Sequence, residues 1–340
     1  MKRERLEALL GKFGDLKITV VGDLFLDRWY EIDERLNNAS IETGLTVYHV
    51  VKKRSAAGCA GTVLNNLSGM GVGTLRVISM VGDDGDGWEM LRRLAERRVA
   101  TDDVIASPEI VTPSYIKPLF PVEGNRFDIE NLAHTPESLE DRLIERIRAA
   151  LPESDAVIIM DQVAAANTGV LTDRVREFIC DAARADPDRL IVADSRISID
   201  KYRDVIVKCN NFEAAGITGG AETEGPFDAD GVFESLERMR ERTGRPVIVT
   251  CNKYGIAVEE DGARRLLPAA KHSCPIDICG AGDACTAGMV SALAAGASCA
   301  EAAFVGNLSS GVTVRQIGST GTATQAAMLA LYDEQFGGLA

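Results

Sequence analysis

Short apolar, β-branched runs alternate with longer amphipathic stretches along most of the chain, and this alternation limits the fold more than any other feature. The runs lie at Ile18–Val21, Leu75–Val81, Ala156–Met160, Leu190–Ala193, Val205–Val207 and Pro246–Thr250. Helical spacing marks Trp88–Arg98, Glu137–Ala150, Thr172–Ala185 and Gly231–Arg242 between them. A strand buried on both faces reads as continuously apolar, and strand, helix, strand in series gives a mostly parallel sheet flanked by helices. No low-complexity linker or fixed-period repeat interrupts the pattern, so residues 1–340 are expected to form one α/β domain.

Two segments break the rhythm. Thr46–Ser55 and Ser114–Ile129 read as extended alternating strands, the second pair joined at Glu123–Asn125, and neither adjoins a strong helix. They predict a small β-sheet excursion, a lid drawn from about 28–56 and 112–130. From Gly282 to about Ala330 the pattern turns almost wholly helical.

Charge narrows the partners. Lys and Arg number 37 against 51 Asp and Glu, a formal charge of -14. That sign repels nucleic-acid backbones and anionic lipid, so neither nucleic acid nor membrane is an expected partner. A few oriented N–H groups still bind a small anion whatever the net charge. The eight cysteines contain no C-x-x-C pair, which suits free thiols in a reducing compartment. Charges interrupt the only apolar stretch of MKRERLEALLGKFGDLK, and Ala284–Ala300 is mostly small residues, so a cytoplasmic location is expected.

Chemistry concentrates in Asp277–Asp283 (DICGAGD), followed directly by ACTAGMVSALAAG. Gly280, Ala281 and Gly282 can turn tightly and expose consecutive amides at the positive end of a helix, forming an anion hole. Asp283 on the first turn would take a proton from an attacking hydroxyl beside it. A capped helix with a dipole-stabilising aspartate fits the same residues. In VGDLFLD, Asp23 and Asp27 follow a predicted strand at the carboxyl edge where open α/β sheets bind ligands, and carboxylates accept from vicinal sugar hydroxyls. In NNFEA, Glu213 offers oxygen to Mg2+, generally through water. Asn210 and Glu213 fit a capping box equally well. Gly69, Gly71 and Gly73 precede a strand instead of following one, so a dinucleotide fingerprint lacks its context.

DICGAGDACTAGMV resembles the C-terminal signature of the PfkB, or ribokinase-like, carbohydrate kinases, and AGCAGTVLNN at 57–66 resembles their N-terminal one. The resemblance extends over roughly 15–335 and implies a ribokinase-like α/β fold with a β-lid, and ATP-dependent phosphorylation of a sugar or sugar-phosphate hydroxyl. It implies Asp283 as general base and Gly280, Ala281 and Gly282 as anion hole. Asp23, Asp27, Gly58, Cys59, Thr62 and Arg126 would hold the acceptor; Asn210, Arg196, Thr250, Gly255 and Asn307 would hold the nucleotide. Glu213 would serve Mg2+ through water. Asp277, Cys279, Gly318 and Thr322 correspond to a region that binds a monovalent cation, such as K+, in some members. Asp161 follows a buried strand, as in the family.

The family's paired glycines are Gly58-Cys59 here, its usual asparagine is Thr62, and the threonines before G-A-G-D are Ile278 and Cys279. VGDLFLDRWY and RFDIE look most like the kinase half of the bacterial heptose-phosphate kinase/nucleotidyltransferase. A catalytically weak sugar- or nucleotide-binding protein on the same scaffold is the alternative. Val47, Tyr48, Val50 and Val51 on the lid predict a homodimer.

Overall fold

A computed structural model describes residues 1–216 and 227–337. The apolar runs form the middle of a ten-stranded sheet. Its order is Ala263–Leu267, Ile256–Glu260, Val247–Thr250, Ile206–Asn210, Ile191–Ser195, Ala156–Asp161, Lys17–Gly22, Thr74–Gly82 and Val99–Ala100, with Val104–Ser107 also pairing with Thr74–Gly82. All neighbours run parallel except at one edge, where Ile256–Glu260 is antiparallel both to Val247–Thr250 and to its hairpin partner Ala263–Leu267.

Alternate side chains of each central strand enter opposite cores, which is why the runs are continuously apolar. Ile158 and Met160 join Leu64, Leu67, Met289 and Leu308 on one face. Val157 and Ile159 join Leu143, Ile147, Ile179 and Leu236 on the other. Each such burial contributes about 1.5–3 kcal/mol. Helices Glu137–Ala150, Asp173–Ala185 and Ala229–Thr243 stand close to their predicted spans. Helix Gly85–Glu96 begins three residues ahead of its apolar pattern, because the Asp84 carboxylate accepts the Gly87 N–H and caps it.

The C-terminal third forms helices Ala281–Ala294, Cys299–Thr313 and Gln325–Phe336, as its pattern predicts. Its small residues serve close packing: a Cβ at Gly288 would strike the Ser309 side chain of the neighbouring helix. Among the described residues no helix is long and apolar enough to cross a membrane.

A second, mixed sheet of five strands stands apart. Val122–Glu123, Ser114–Phe120, Leu24–Ile32 and Val50–Cys59 lie in that order, and Phe127–Ile129 also pairs with Ser114–Phe120. Two details differ from the sequence reading. The excursion begins at Leu24, since only Asp23 separates the main-sheet strand Lys17–Gly22 from strand Leu24–Ile32. The chain first reverses at Pro121, with Val122 opposite Phe120 and the Gly124 N–H donating to Pro118 O; a further turn leads to Phe127–Ile129. The path returns along Val50–Cys59 directly into helix Ala60–Gly69. Asp23 and Cys59 therefore bound the first passage through the small sheet, and the chain enters it again at Ser114 and leaves after Ile129.

Candidate active site

Helix Ala281–Ala294 starts from Gly280, whose φ of 76° is left-handed and whose Cβ position would lie 2.6 Å from Thr320 O. Only glycine fits that turn without strain. The Ala281 N–H donates to Ile278 O within the turn. This corrects the reading of Ala281 as an anion-hole donor, because its amide already closes the turn. The Gly282 and Asp283 amides have no protein acceptor among the described residues and occupy the positive end of a 14-residue helix.

Asp283 lies on that first turn, half-buried. Burial pushes its carboxyl up to about 7. The charges of Asp194 and Asp27 add to the shift, while Lys208 and Arg196 oppose it.

Lys208 was not singled out by sequence, although a lysine inside the apolar run VIVKC is itself a signal. It is 5% exposed, and its Nζ lies 2.8 Å from Asp194 Oδ2. Thr286 donates its hydroxyl to the same oxygen at 2.9 Å. A Cβ at Gly282 would stand 3.4 Å from Lys208 Nζ, so this ammonium lies directly behind the open amides. Arg196 is exposed, and its charge reaches both Glu213 and Asp283.

Asn210 and Glu213 form a full capping box on helix Asn211–Ala214. Asn210 Oδ1 accepts the Phe212 and Glu213 N–H groups, and Glu213 Oε2 accepts the Asn210 N–H at 2.8 Å. Asn210 thereby has its side-chain oxygen committed. Glu213 Oε1 has no protein partner among the described residues, and burial followed by the charge of Asp194 raises the carboxyl. A half-free carboxylate beside Lys208 and Arg196 fits Mg2+ held through water next to phosphates. Among the described residues no three His, Cys, Asp or Glu side chains converge as a direct metal cluster.

On the acceptor side, the two aspartates of VGDLFLD separate. Asp23 is 4% exposed and its carboxylate accepts the N–H groups of Gln162, Val163 and Val170 at 3.1, 3.3 and 2.7 Å. It fastens loop 162–170, which corrects its reading as a sugar ligand: its lone pairs serve backbone. Burial and the charge of Asp161 push it up to about 6. Asp161 in turn accepts from Arg176, Ser195 and Tyr202. Asp27 behaves differently. Its Oδ1 pairs with Lys117 Nζ at 3.0 Å, and its Oδ2 faces Gly58 so closely that a Cβ there would collide with it.

Cys59 takes a φ of 54° at the start of helix Ala60–Gly69, an uncommon conformation for a side chain other than glycine. Burial raises its thiol, and the charges of Asp23 and Asp283 add to the shift. Thr62 is 1% exposed, and its hydroxyl donates back to Ala57 O at 3.4 Å. Arg126 stands outside this group: it holds Asp128 through two contacts of 2.6 Å and lies over the Tyr115 ring.

The remaining nucleotide and cation candidates have main-chain duties. Thr250 donates to Cys209 O. Gly255 takes a φ of 107°, where a Cβ would strike Leu267 O. Asn307 donates its amide to Leu267 O and Pro268 O at 3.2 Å each. Asp277 accepts the Cys279 and Gly318 N–H groups at 3.0 and 2.9 Å, tying the G-A-G-D turn to the Gly318 loop. Thr322 is held at both its N–H and its carbonyl by the Gln316 amide.

Residues 16–326 match the model of the pfkB family of carbohydrate kinases. Among curated proteins, Bifunctional protein HldE of Gluconobacter oxydans (strain 621H) is 28% identical over 315 residues, which cover 91% of this chain and 62% of that protein. The chain thus spans less than two thirds of the length of such relatives. Among solved structures, Arabidopsis thaliana ribokinase complexed with ribose and ATP has a TM-score of 0.66 at 16% identity, covering 93% of this chain and 98% of that one. An E. coli structure in complex with ATP and Mg2+ also reaches 0.66, at 14% identity over 94% and 100% of the two chains. The fold is the one these structures share.

Proposed function

The chain belongs to the pfkB family of carbohydrate kinases, and from that premise we propose that it transfers the γ-phosphoryl group of ATP to a sugar hydroxyl with Asp283 as general base. The observation that carries this reading is a half-buried carboxyl pushed up to about 7 beside two open amides at a helix N-terminus. A base whose pKa lies near the working pH is both ionised enough to accept a proton and basic enough to hold it.

In this reading the acceptor hydroxyl lies against Asp283 and is oriented by Asp27. Asp283 removes its proton as the new O–P bond forms and the bond from phosphorus to the ADP oxygen breaks. The Gly282 and Asp283 amides, backed by Lys208, hold the transferring phosphoryl group, and Arg196 adds positive charge at the triphosphate. Mg2+, when bound near Glu213, would neutralise phosphate charge. The small sheet acts as a lid that excludes water and limits ATP hydrolysis. K+ at the Asp277–Gly318 junction, a cytoplasmic location and a homodimer through the lid complete the reading.

Asp283→Asn tests it. Sugar-dependent ADP formation should fall by about 10²–10⁴-fold or more, while ATP still raises the melting temperature of the variant. Near-normal turnover in Asp283→Asn removes the assignment of the base. Binding of sugar and ATP by the wild-type chain without turnover would favour the weak-binder alternative.

A further inference from the structure

We infer that Arg54, on the small sheet, is a positioning residue for the anion hole: it holds the Gly318 loop, and through that loop the turn that presents the Gly282 and Asp283 amides. That these amides serve phosphoryl transfer rests on the kinase reading. The coupling of sheet to turn rests on the contacts themselves.

Three strands of the small sheet bring one row of side chains into register. Arg54 on Val50–Cys59 and Lys117 on Ser114–Phe120 both stand opposite Trp29 of the strand between them, and directly opposed residues share a face. The Arg54 guanidinium lies 5.3 Å from the centre of the Trp29 ring and Lys117 Nζ lies 5.0 Å from it, each cation drawn to the indole. Lys117 also holds Asp27 at 3.0 Å. Glu31 Oε1 pairs with Arg54 Nε at 3.5 Å and with Lys52 at 3.2 Å. Ring and carboxylate thus orient the guanidinium, and its Nη1 donates to Gly318 O at 3.2 Å. Among the described residues this is the only hydrogen bond between the five-stranded sheet and the C-terminal helical third.

Gly318 is held at both its carbonyl and its N–H. The N–H donates to Asp277 Oδ2 at 2.9 Å, while Asp277 Oδ1 accepts the Cys279 N–H at 3.0 Å. The Asp277 N–H is itself fixed on Val314 O at 2.8 Å. The next residue after Cys279 is Gly280, which packs so closely on the same loop that a Cβ would lie 2.6 Å from Thr320 O. The far end of the loop is tied where Asn66 Oδ1 accepts the Ala323 N–H at 2.8 Å. Its tip has no such packing: a Cβ at Gly318 would meet nothing within 4 Å. The polar grip of Arg54 and Asp277 therefore sets the position of the tip. One chain of contacts runs from Asp27 through Lys117, Trp29 and Arg54 to Gly318, Asp277 and the turn. Donors misplaced by about 1 Å lose on the order of 10²-fold in rate, so phosphoryl transfer is best supported with the small sheet seated over the acceptor.

Hydrogen–deuterium exchange of the full chain, read by mass spectrometry, tests the coupling without turnover. Arg54→Ala should speed exchange over residues 277–283 by roughly fivefold or more and leave helix Gly85–Glu96 unchanged. Wild-type exchange over 277–283 in that variant overturns the inference, and so does acceleration throughout the chain, which marks a general loss of stability. In steady-state kinetics Arg54→Ala should lower kcat about ten- to a hundredfold while KM for ATP stays within about twofold. Arg54→Lys should recover part of the loss. In the Asp277→Asn background, adding Arg54→Ala should cost little more, because both residues act through one link. Losses that multiply in the double variant, or an unchanged kcat in Arg54→Ala, overturn the inference and leave the kinase reading standing. A wild-type chain that forms no ADP with any sugar removes the kinase reading, and the exchange result then decides the inference alone.

Discussion

A carboxyl pushed up to about 7 is half protonated at neutral pH, and only its ionised form accepts a proton. Sugar-kinase kcat/KM should therefore fall tenfold per pH unit below about 7 and level off above it. Arg196 pulls this carboxyl down, so Arg196→Gln should move the acid limb to higher pH; an unmoved limb in that variant's pH–rate profile would assign the titration to another group. Stability runs the opposite way. The folded pKa lies above the ordinary 3.8, so Asp283 contributes fully to stability below about 4 and loses that contribution as pH rises through 7. At pH 8, Asp283→Asn should be more stable than the parent by about 1–2 kcal/mol once solvent in the cleft is allowed for. Urea unfolding at pH 8 and pH 5 measures the difference, which should shrink at the lower pH. Asp283 was legible because its chemistry lies within one short motif. Asp23 was misread because its partners, Gln162 and Val170, stand 139 and 147 positions away, and no local spacing reveals a carboxylate already filled by backbone.

At the scale of elements, the lid is anchored at its base by a partly buried polar network. Arg28 on strand Leu24–Ile32 pairs with Asp86 and with Glu89 of helix Gly85–Glu96, the latter at 3.0 Å. Ser55 on the returning strand donates to Glu89, Arg93 donates to Ser55, and Ser114 donates to Asp86 at 2.6 Å. Three lid strands are thus fixed to one helix of the main domain, and Asp27 on one of those strands depends on that fixation for its place in the cleft. Further out the lid reaches the C-terminal loop, where Arg54 donates to Gly318 O at 3.2 Å. Arg28→Ala leaves Asp86 and Glu89 without their cation, which should cost about 3–5 kcal/mol for a buried pair and less here, where 17–27% of each side chain is exposed. Sugar KM should rise more than ATP KM, because the acceptor side carries the lid. Equal rises in both would show that the network supports the fold generally and not the lid. The hairpin and helix patterns were readable as extended or helical segments, but this anchoring was not, because its charges look like ordinary surface residues until the strands and helix meet.

For the whole molecule, periodicity was enough to predict the parallel sheet, since each central strand must be apolar on both faces. It could not predict the edge hairpin Ile256–Glu260 and Ala263–Leu267, whose outer strand carries Arg264 and Arg265 and reads as polar loop. The small sheet raises a question of assembly. Strand Val50–Cys59 lies at its edge with one side unpaired. Val50 and Val51 are 42% and 57% exposed, and Tyr48 just ahead of that strand is 52% exposed. An apolar edge of this kind is generally covered by another element or another copy. A second copy suits it because a twofold pairing of identical edges covers both apolar surfaces at once. Light scattering at micromolar concentration should then give about twice the 36.4 kDa chain mass. Val51→Lys, which sets like charges against each other across such an edge, should shift the mass to the monomer. Because the same lid strand leads through Ser55 and Gly58 to the cleft, the monomeric variant should also show a raised sugar KM. A wild-type chain that scatters as a monomer, with Val51→Lys unchanged in mass and kinetics, would mean that this edge is left open in solution.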